Sequence, residues 1–228
     1  MQHLAIIPDG NRRWALQHKL ESFLGHKKGM ETVRTAIKVA IKNGIKYLSF
    51  YTFSIENFRR GDFEKNYLFS LLATNIPNEI PELVSNGIRV RFIGDRSLFP
   101  ENVRDSITKV EEQTKHLTTL NLNLLFCYGG TAELTEAVRV IAQKVKDGVL
   151  HVNDITQDTI REALWTAGIP DPDLIIRTGK ISRLSNFLLF QSAYSEYSFL
   201  DCYWPEITES HIEQCIERFK QTKRNFGR

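Results

Sequence analysis

Five short apolar runs rich in β-branched residues constrain the fold of this chain more than any other feature. They occupy residues 3–8, 47–53, 88–93, 120–127 and 173–177, with a sixth near 197–200. Most read as continuous rather than alternating, which marks strands covered on both faces. Helical periodicity fills the gaps. Val33, Ala36, Ile37, Ala40 and Ile41 share one helical face, closed by Gly44. Leu134, Val138, Ile141, Ala142 and Val145 form a second stripe, closed by Gly148. Residues 63–86 and 101–117 also read as helices, with Pro77 and Pro81 expected to kink or interrupt the first. A last helix is expected from about 209 to 223. Strand alternating with helix predicts an α/β fold: a single domain, mainly parallel six-stranded sheet flanked by helices. No internal repeat or Pro/Gly/Ser linker divides the chain, so residues 1–228 are read as one catalytic domain.

Bulk composition narrows the function classes. A net charge of +3 is too small to argue for nucleic acid, and no nucleic-acid motif occurs. Cys127, Cys202 and Cys215 form no C-x-x-C pair, and their odd number argues against a disulfide framework. No run of 18 apolar residues occurs and nothing reads as a signal peptide, so a cytoplasmic protein is expected, one still able to touch a membrane transiently to fetch or release a greasy molecule.

In open α/β sheets ligands bind beyond the carboxyl ends of the strands, so those ends come first in a search for chemistry. The first run ends in Pro8-Asp9-Gly10-Asn11-Arg12-Arg13-Trp14, the second in Ser54-Ile55-Glu56-Asn57-Phe58-Arg59-Arg60. The fifth ends in Arg177-Thr178-Gly179, followed by Arg183-Leu184-Ser185-Asn186-Phe187. Each has an ordinary alternative. Asp9, Asn11 or Ser185 could simply cap a helix, and the second segment could be a solvated loop. Glu196, among apolar neighbours, needs either an arginine or a metal. Three strand ends of one sheet carrying arginine with hydroxyl or amide groups weaken those alternatives together. Arginine holds phosphate by a bidentate fork, and Mg²⁺ takes one or two carboxylates plus phosphate oxygens. The residues thus read as two phosphate-type sites and a metal, with Asp9 and Glu196 as the candidate metal ligands.

Residues 3–14, Gly25-His26-Lys27, residues 53–57, Ile93-Gly94-Asp95, Tyr128-Gly129-Gly130, residues 173–178 and 183–191, and Trp204-Pro205 resemble the cis-prenyltransferases in order and spacing. Among these the bacterial undecaprenyl diphosphate synthases are the most similar. The resemblance implies a homodimer that condenses isopentenyl diphosphate onto an allylic diphosphate, farnesyl diphosphate above all. It implies Mg²⁺ as cofactor and a long polyprenyl product, undecaprenyl diphosphate, for the lipid carrier of cell-wall synthesis. It assigns Asp9 to the metal, and Asp9, Asn11 and Ser54 to the reacting centre. Gly10, Arg13 and His26 match the allylic diphosphate pocket; Arg177, Arg183 and Ser185 match the isopentenyl diphosphate pocket. Glu196 matches a second acidic residue of the metal. The same likeness adds Arg12, Trp14, Asn57, Phe58 and Arg60 to the substrate-binding set. Leu68, Leu72, Ile88 and Leu120 are the expected lining of a hydrocarbon tunnel, with Leu120 near its floor.

The chain also departs from the family pattern. Ser22 stands where many bacterial members carry arginine, Phe58 replaces a frequent tryptophan, and Lys180-Ile181-Ser182 replaces a glycine-glutamate stretch. A non-catalytic homologue acting as a binding subunit is the rival reading, opposed by the presence of Asp9, Arg177, Arg183 and Glu196. A nucleotide-binding enzyme is disfavoured because neither G-x-x-x-x-G-K-[ST] nor G-x-G-x-x-G occurs.

Overall fold

The computed structural model describes residues 1–59 and 62–222. The strands are β1 (His3–Ile7), β2 (Tyr47–Ser54), β3 (Ile88–Ile93), β4 (Leu120–Tyr128), β5 (Leu174–Arg177) and β6 (Glu196–Phe199). They form one sheet in the order β3-β4-β2-β1-β5-β6, and every pairing is parallel. All six apolar runs are therefore strands. β1 is buried at every position, as a central parallel strand must be when helices cover both faces.

Helices α1 (Asn11–Gln17), α2 (Ser22–Lys42), α3 (Asp62–Ser85), α4 (Glu101–Thr114), α5 (Gly130–Lys146), α6 (Gln157–Ala163) and α7 (Glu209–Gln221) surround the sheet. The main core lies on one face, where Phe50, Phe53, Val90, Leu120, Leu122 and Phe126 meet residues of α2, α3, α4 and α7. A smaller core on the other face gathers Ile7, Tyr51, Leu125, Tyr128, Ile175 and Phe187. Near the end of β2 the register with β4 shifts between Tyr51 and Phe53. That bulge places Phe53 in the same core as Phe50, three positions earlier.

Two expectations need correction. α3 runs unbroken through Pro77 and Pro81. A proline takes away the N–H that would bond the carbonyl four residues earlier, here that of Ala73 for Pro77. The Ser106 hydroxyl of α4 donates to that Ala73 carbonyl at 3.2 Å, so the freed acceptor is satisfied from the neighbouring helix. The second stripe is also rotated: Val138 is exposed, while Glu133, Ala137 and Ile141 are buried. Glu133 takes an inward position because its carboxylate is fully bonded. It accepts from the Tyr128 hydroxyl (2.5 Å), from the Thr166 amide and hydroxyl (2.9 and 2.8 Å), and from Gln191 Nε2 (2.9 Å).

Candidate active site

Parallel pairing aligns Ile7 with Arg177, so β1 and β5 deliver Asp9 and Arg177 side by side beyond the carboxyl edge of the sheet. Asp9 sits between two guanidinium groups. Arg13 Nη2 reaches its Oδ1 at 2.9 Å, and Arg177 Nη2 reaches its Oδ2 at 2.9 Å. The backbone beneath is clamped by Thr178, whose hydroxyl accepts from the Asp9 amide (2.9 Å) and donates to the Asp9 carbonyl (2.7 Å). Arg177 also donates to Ser185 Oγ at 2.8 Å and to the Arg183 carbonyl. Its side chain is only 5% exposed, against 28% for Asp9. Arg13 is nearer solvent, donating to the Gly179 carbonyl at 2.7 Å while its guanidinium lies 5.3 Å from the Tyr203 ring centre.

Close packing forces the glycines here. Gly10 turns the chain into α1 at φ 105°, and a Cβ on it would lie 2.5 Å from Tyr203. Gly25 and Gly29 of α2 let that helix close on Asn11; a Cβ at Gly29 would stand 2.3 Å from Asn11 Oδ1. Asn11 Nδ2 donates to the Pro8 carbonyl at 3.2 Å, and its Oδ1 is buried without a partner.

These groups open on a cavity of about 890 Å³. Of the residues expected at the site, Asp9, Gly10, Asn11, Arg12, Arg13, His26, Ser54, Asn57, Leu68, Arg177 and Ser185 line it. Trp14 stacks on His18 instead, 4.4 Å between ring centres. Phe58 packs against the Phe53 ring at 5.3 Å, and the Arg183 side chain is exposed away from the cavity lining. Arg60 lies outside the described residues. Leu72, Ile88 and Leu120 belong to the main core and not to the cavity wall: Ile88 faces Leu120 at the amino end of β3 and β4, far below the strand ends. Glu196 lies apart from the cavity lining within one chain. It pairs with Leu174 at the start of β5, three residues or about 10 Å from Arg177, so one chain does not bring it to Asp9. Its Oε1 is buried without a partner.

Sequence reasoning missed several neighbours. Tyr51 and Thr52 line the cavity because the β2 bulge turns them there. The Tyr51 hydroxyl is held far above its ordinary pKa by burial first and then by Glu56. Tyr203, which takes Arg13 on its ring and Lys180 5.1 Å from its centre, lies far along the chain from both, so only the fold reveals it. Asn186 ties the site together: its Oδ1 accepts from the Thr131 amide at 2.8 Å, its carbonyl from the Gly130 amide at 2.7 Å, and its Nδ2 donates to Glu56 at 2.6 Å. A second cavity, about 700 Å³ at edge strand β3, holds none of the expected residues. Its Arg96 and Glu111 neutralise each other at 2.7 Å.

A model of the undecaprenyl diphosphate synthase family of prenyltransferases matches residues 7–227, which takes in every element of the site. The chain belongs to this family. It is 42% identical over 226 residues to an isoprenyl transferase of Clostridium perfringens, covering 99% of this chain and 89% of that one. It is 40% identical over 226 residues to a ditrans,polycis-undecaprenyl-diphosphate synthase, (2E,6E)-farnesyl-diphosphate specific, of Micrococcus luteus, covering 99% and 91%. Lavandulyl diphosphate synthase of Lavandula x intermedia, crystallised with dimethylallyl diphosphate, superposes with a TM-score of 0.96 at 32% identity over 100% of this chain and 98% of that one. A probable undecaprenyl diphosphate synthase of Campylobacter jejuni gives 0.83 at 32% identity, covering 100% and 99%.

Of the two carboxylates expected to hold a metal, Asp9 lines the cavity of the single chain and Glu196 does not. Among the described residues no group of three or more His, Cys, Asp or Glu could hold one. A single half-exposed carboxylate suits a cation that draws its other ligands from substrate phosphates.

Proposed function

We propose that this chain condenses isopentenyl diphosphate with an allylic diphosphate, with Mg²⁺ as cofactor. The observation that carries the reading is Asp9 held between Arg13 and Arg177 on the wall of a cavity large enough for two substrates. Arg177, fixed by Ser185 and almost fully buried, is a cation held in place at the cavity wall for a diphosphate. Arg13, on the opposite side of Asp9, receives the second. Asp9, together with phosphate oxygens, would hold Mg²⁺, which would supply charge neutralisation for a departing diphosphate.

The reaction breaks the allylic C–O bond, the diphosphate leaving with the electron pair. The isopentenyl double bond supplies the electrons for the new C–C bond, and C2 releases a proton. Holding both substrates in register supplies much of the rate, and the rigid β1–β5 edge supplies the register. The solved relative with the higher TM-score holds dimethylallyl diphosphate, which supports an allylic diphosphate as co-substrate here.

The reading includes a homodimer working in the cytoplasm. No helix among the described residues is long and apolar enough to cross a membrane. Sedimentation equilibrium should return twice 26.3 kDa. Incubation of the full chain with labelled isopentenyl diphosphate, an allylic diphosphate and Mg²⁺ tests the activity. A prenyl diphosphate that appears only with the metal supports the reading. No product with allylic primers of any length would favour a binding subunit instead.

A further inference from the structure

The main core narrows what product this site can make, an inference that rests on the condensation reading. The tunnel lining expected from the sequence, with Ile88 and Leu120 at its far end, would lead a long hydrocarbon from the cavity down the sheet face under α3. Those two residues lie six positions, or about 20 Å, below Phe126 along β4. Six phenylalanines occupy the upper part of that path. Phe126 lies 5.5 Å from Phe53, 5.4 Å from Phe69 and 5.1 Å from Phe99, measured between ring centres. Phe92 touches Phe126 from β3, and Phe58 closes on Phe53 at 5.3 Å. Rings at these separations are in contact, and close-packed interiors leave no channel between them. Phe53, Phe69, Phe92, Phe99 and Phe126 are each no more than 6% exposed. The stack begins directly behind the cavity wall, since Leu68 lines the cavity and Phe69 follows it into the core.

We infer that this phenylalanine cluster is the floor of the substrate site, with Phe126 at its centre, and that it limits the enzyme to short products of about ten to fifteen carbons. The cavity sets that range: at about 890 Å³ it has room for two small diphosphates, and the ring contacts that begin at Phe69, directly behind its wall, leave no path for a longer tail. The inference thus favours a short allylic partner over farnesyl diphosphate, and a short product over the 55-carbon one that the family likeness implies.

Two measurements on the full chain test this separately from catalysis. The first is calorimetric affinity for allylic diphosphates of five, ten, fifteen and twenty carbons without isopentenyl diphosphate. The inference expects affinity to fall at least tenfold between ten and twenty carbons; flat or rising affinity overturns it. This series reads the floor even if no condensation occurs, in which case the functional reading fails and the floor stands. The second is product length from labelled isopentenyl diphosphate and dimethylallyl diphosphate with Mg²⁺. Products should stop by about fifteen carbons, and Phe126→Ala should add one or more five-carbon units. Phe126→Leu, which keeps more of the core volume, covers the case in which the alanine variant does not fold; it should lengthen products or restore binding of the twenty-carbon diphosphate. Wild-type products beyond thirty carbons, or a folded variant with neither change, would overturn the inference.

Discussion

Arg13 and Arg177 hold the same carboxylate at the same distance, yet their surroundings separate their effects. The Arg13 side chain is 40% exposed, and an ion pair at such a site is worth about 0–1 kcal/mol. Arg177 is nearly buried and also bonds Ser185 and the Arg183 carbonyl. Removing it takes the donor from one oxygen of Asp9, from Ser185 and from that carbonyl, and empties the space of a buried side chain, at about 2–3 kcal/mol once the exposure of Asp9 and Ser185 is allowed for. Arg177→Ala should therefore lower Tm by about 5–10 °C and raise KM for the diphosphate substrates at least tenfold. Arg13→Ala should raise KM alike with Tm nearly unchanged. Thermal melts beside kinetics decide it, and equal Tm losses would show that the site is not built as described. His3 carries a pH prediction. Burial lowers its pKa from 6.5 to about 4, and its ring bonds Ser49 Oγ and the Pro170 carbonyl. The folded chain keeps His3 neutral where the unfolded chain would protonate it. Its contribution is thus fully present above pH 6.5 and is lost as pH falls toward 4, by up to about 3 kcal/mol. Chemical denaturation of His3→Gln across that window should show a flatter pH dependence than wild type; parallel curves would contradict the assignment.

At the scale of elements, the strands were legible because burial on both faces writes itself as continuous apolar residues, and all six appeared where the runs stood. The unbroken α3 was not legible, because the compensation for Pro77 comes from Ser106 on another helix. The rotation of α5 was hidden for a similar reason: buried Glu133 looks like a surface residue until Tyr128, Thr166 and Gln191 are known to surround it. Asn186 joins elements far apart in sequence, linking the start of α5 to the turn Ile55–Arg59 while its neighbour Ser185 bonds Arg177. It does so at φ 69°, a left-handed conformation that asparagine tolerates and alanine does not. Asn186→Ala should cost about 2–3 kcal/mol, combining backbone strain with two lost side-chain bonds. Asn186→Gly, free of the strain, should cost about 1 kcal/mol less. Denaturant midpoints for the pair test this, and equal losses would remove backbone strain from the account.

For the molecule as a whole, the sequence exposed the chemistry better than the shape of the space around it. Asp9, Asn11, Ser54 and Arg177 stand at strand ends, where parallel topology gathers them, and the structure brings all four to one cavity. That Glu196 stands apart from Asp9 within one chain was not legible, because the distance depends on the register of β6 against β5, which no local pattern encodes. Of the expected tunnel residues only Leu68 lines the cavity, for a related reason. An apolar residue in a core and one in a tunnel wall read alike, and only the contacts of Phe53, Phe69 and Phe126 show that the space is filled. In the proposed reaction Asp9 is the carboxylate on which metal and both diphosphates would converge. The turnover of Asp9→Asn, measured with isopentenyl and dimethylallyl diphosphates and Mg²⁺ on protein shown to be folded, tests that most directly. The account predicts a loss of about 10²–10³ or more in kcat, with isopentenyl diphosphate binding largely retained through Arg177. Turnover within a few-fold of wild type would contradict it.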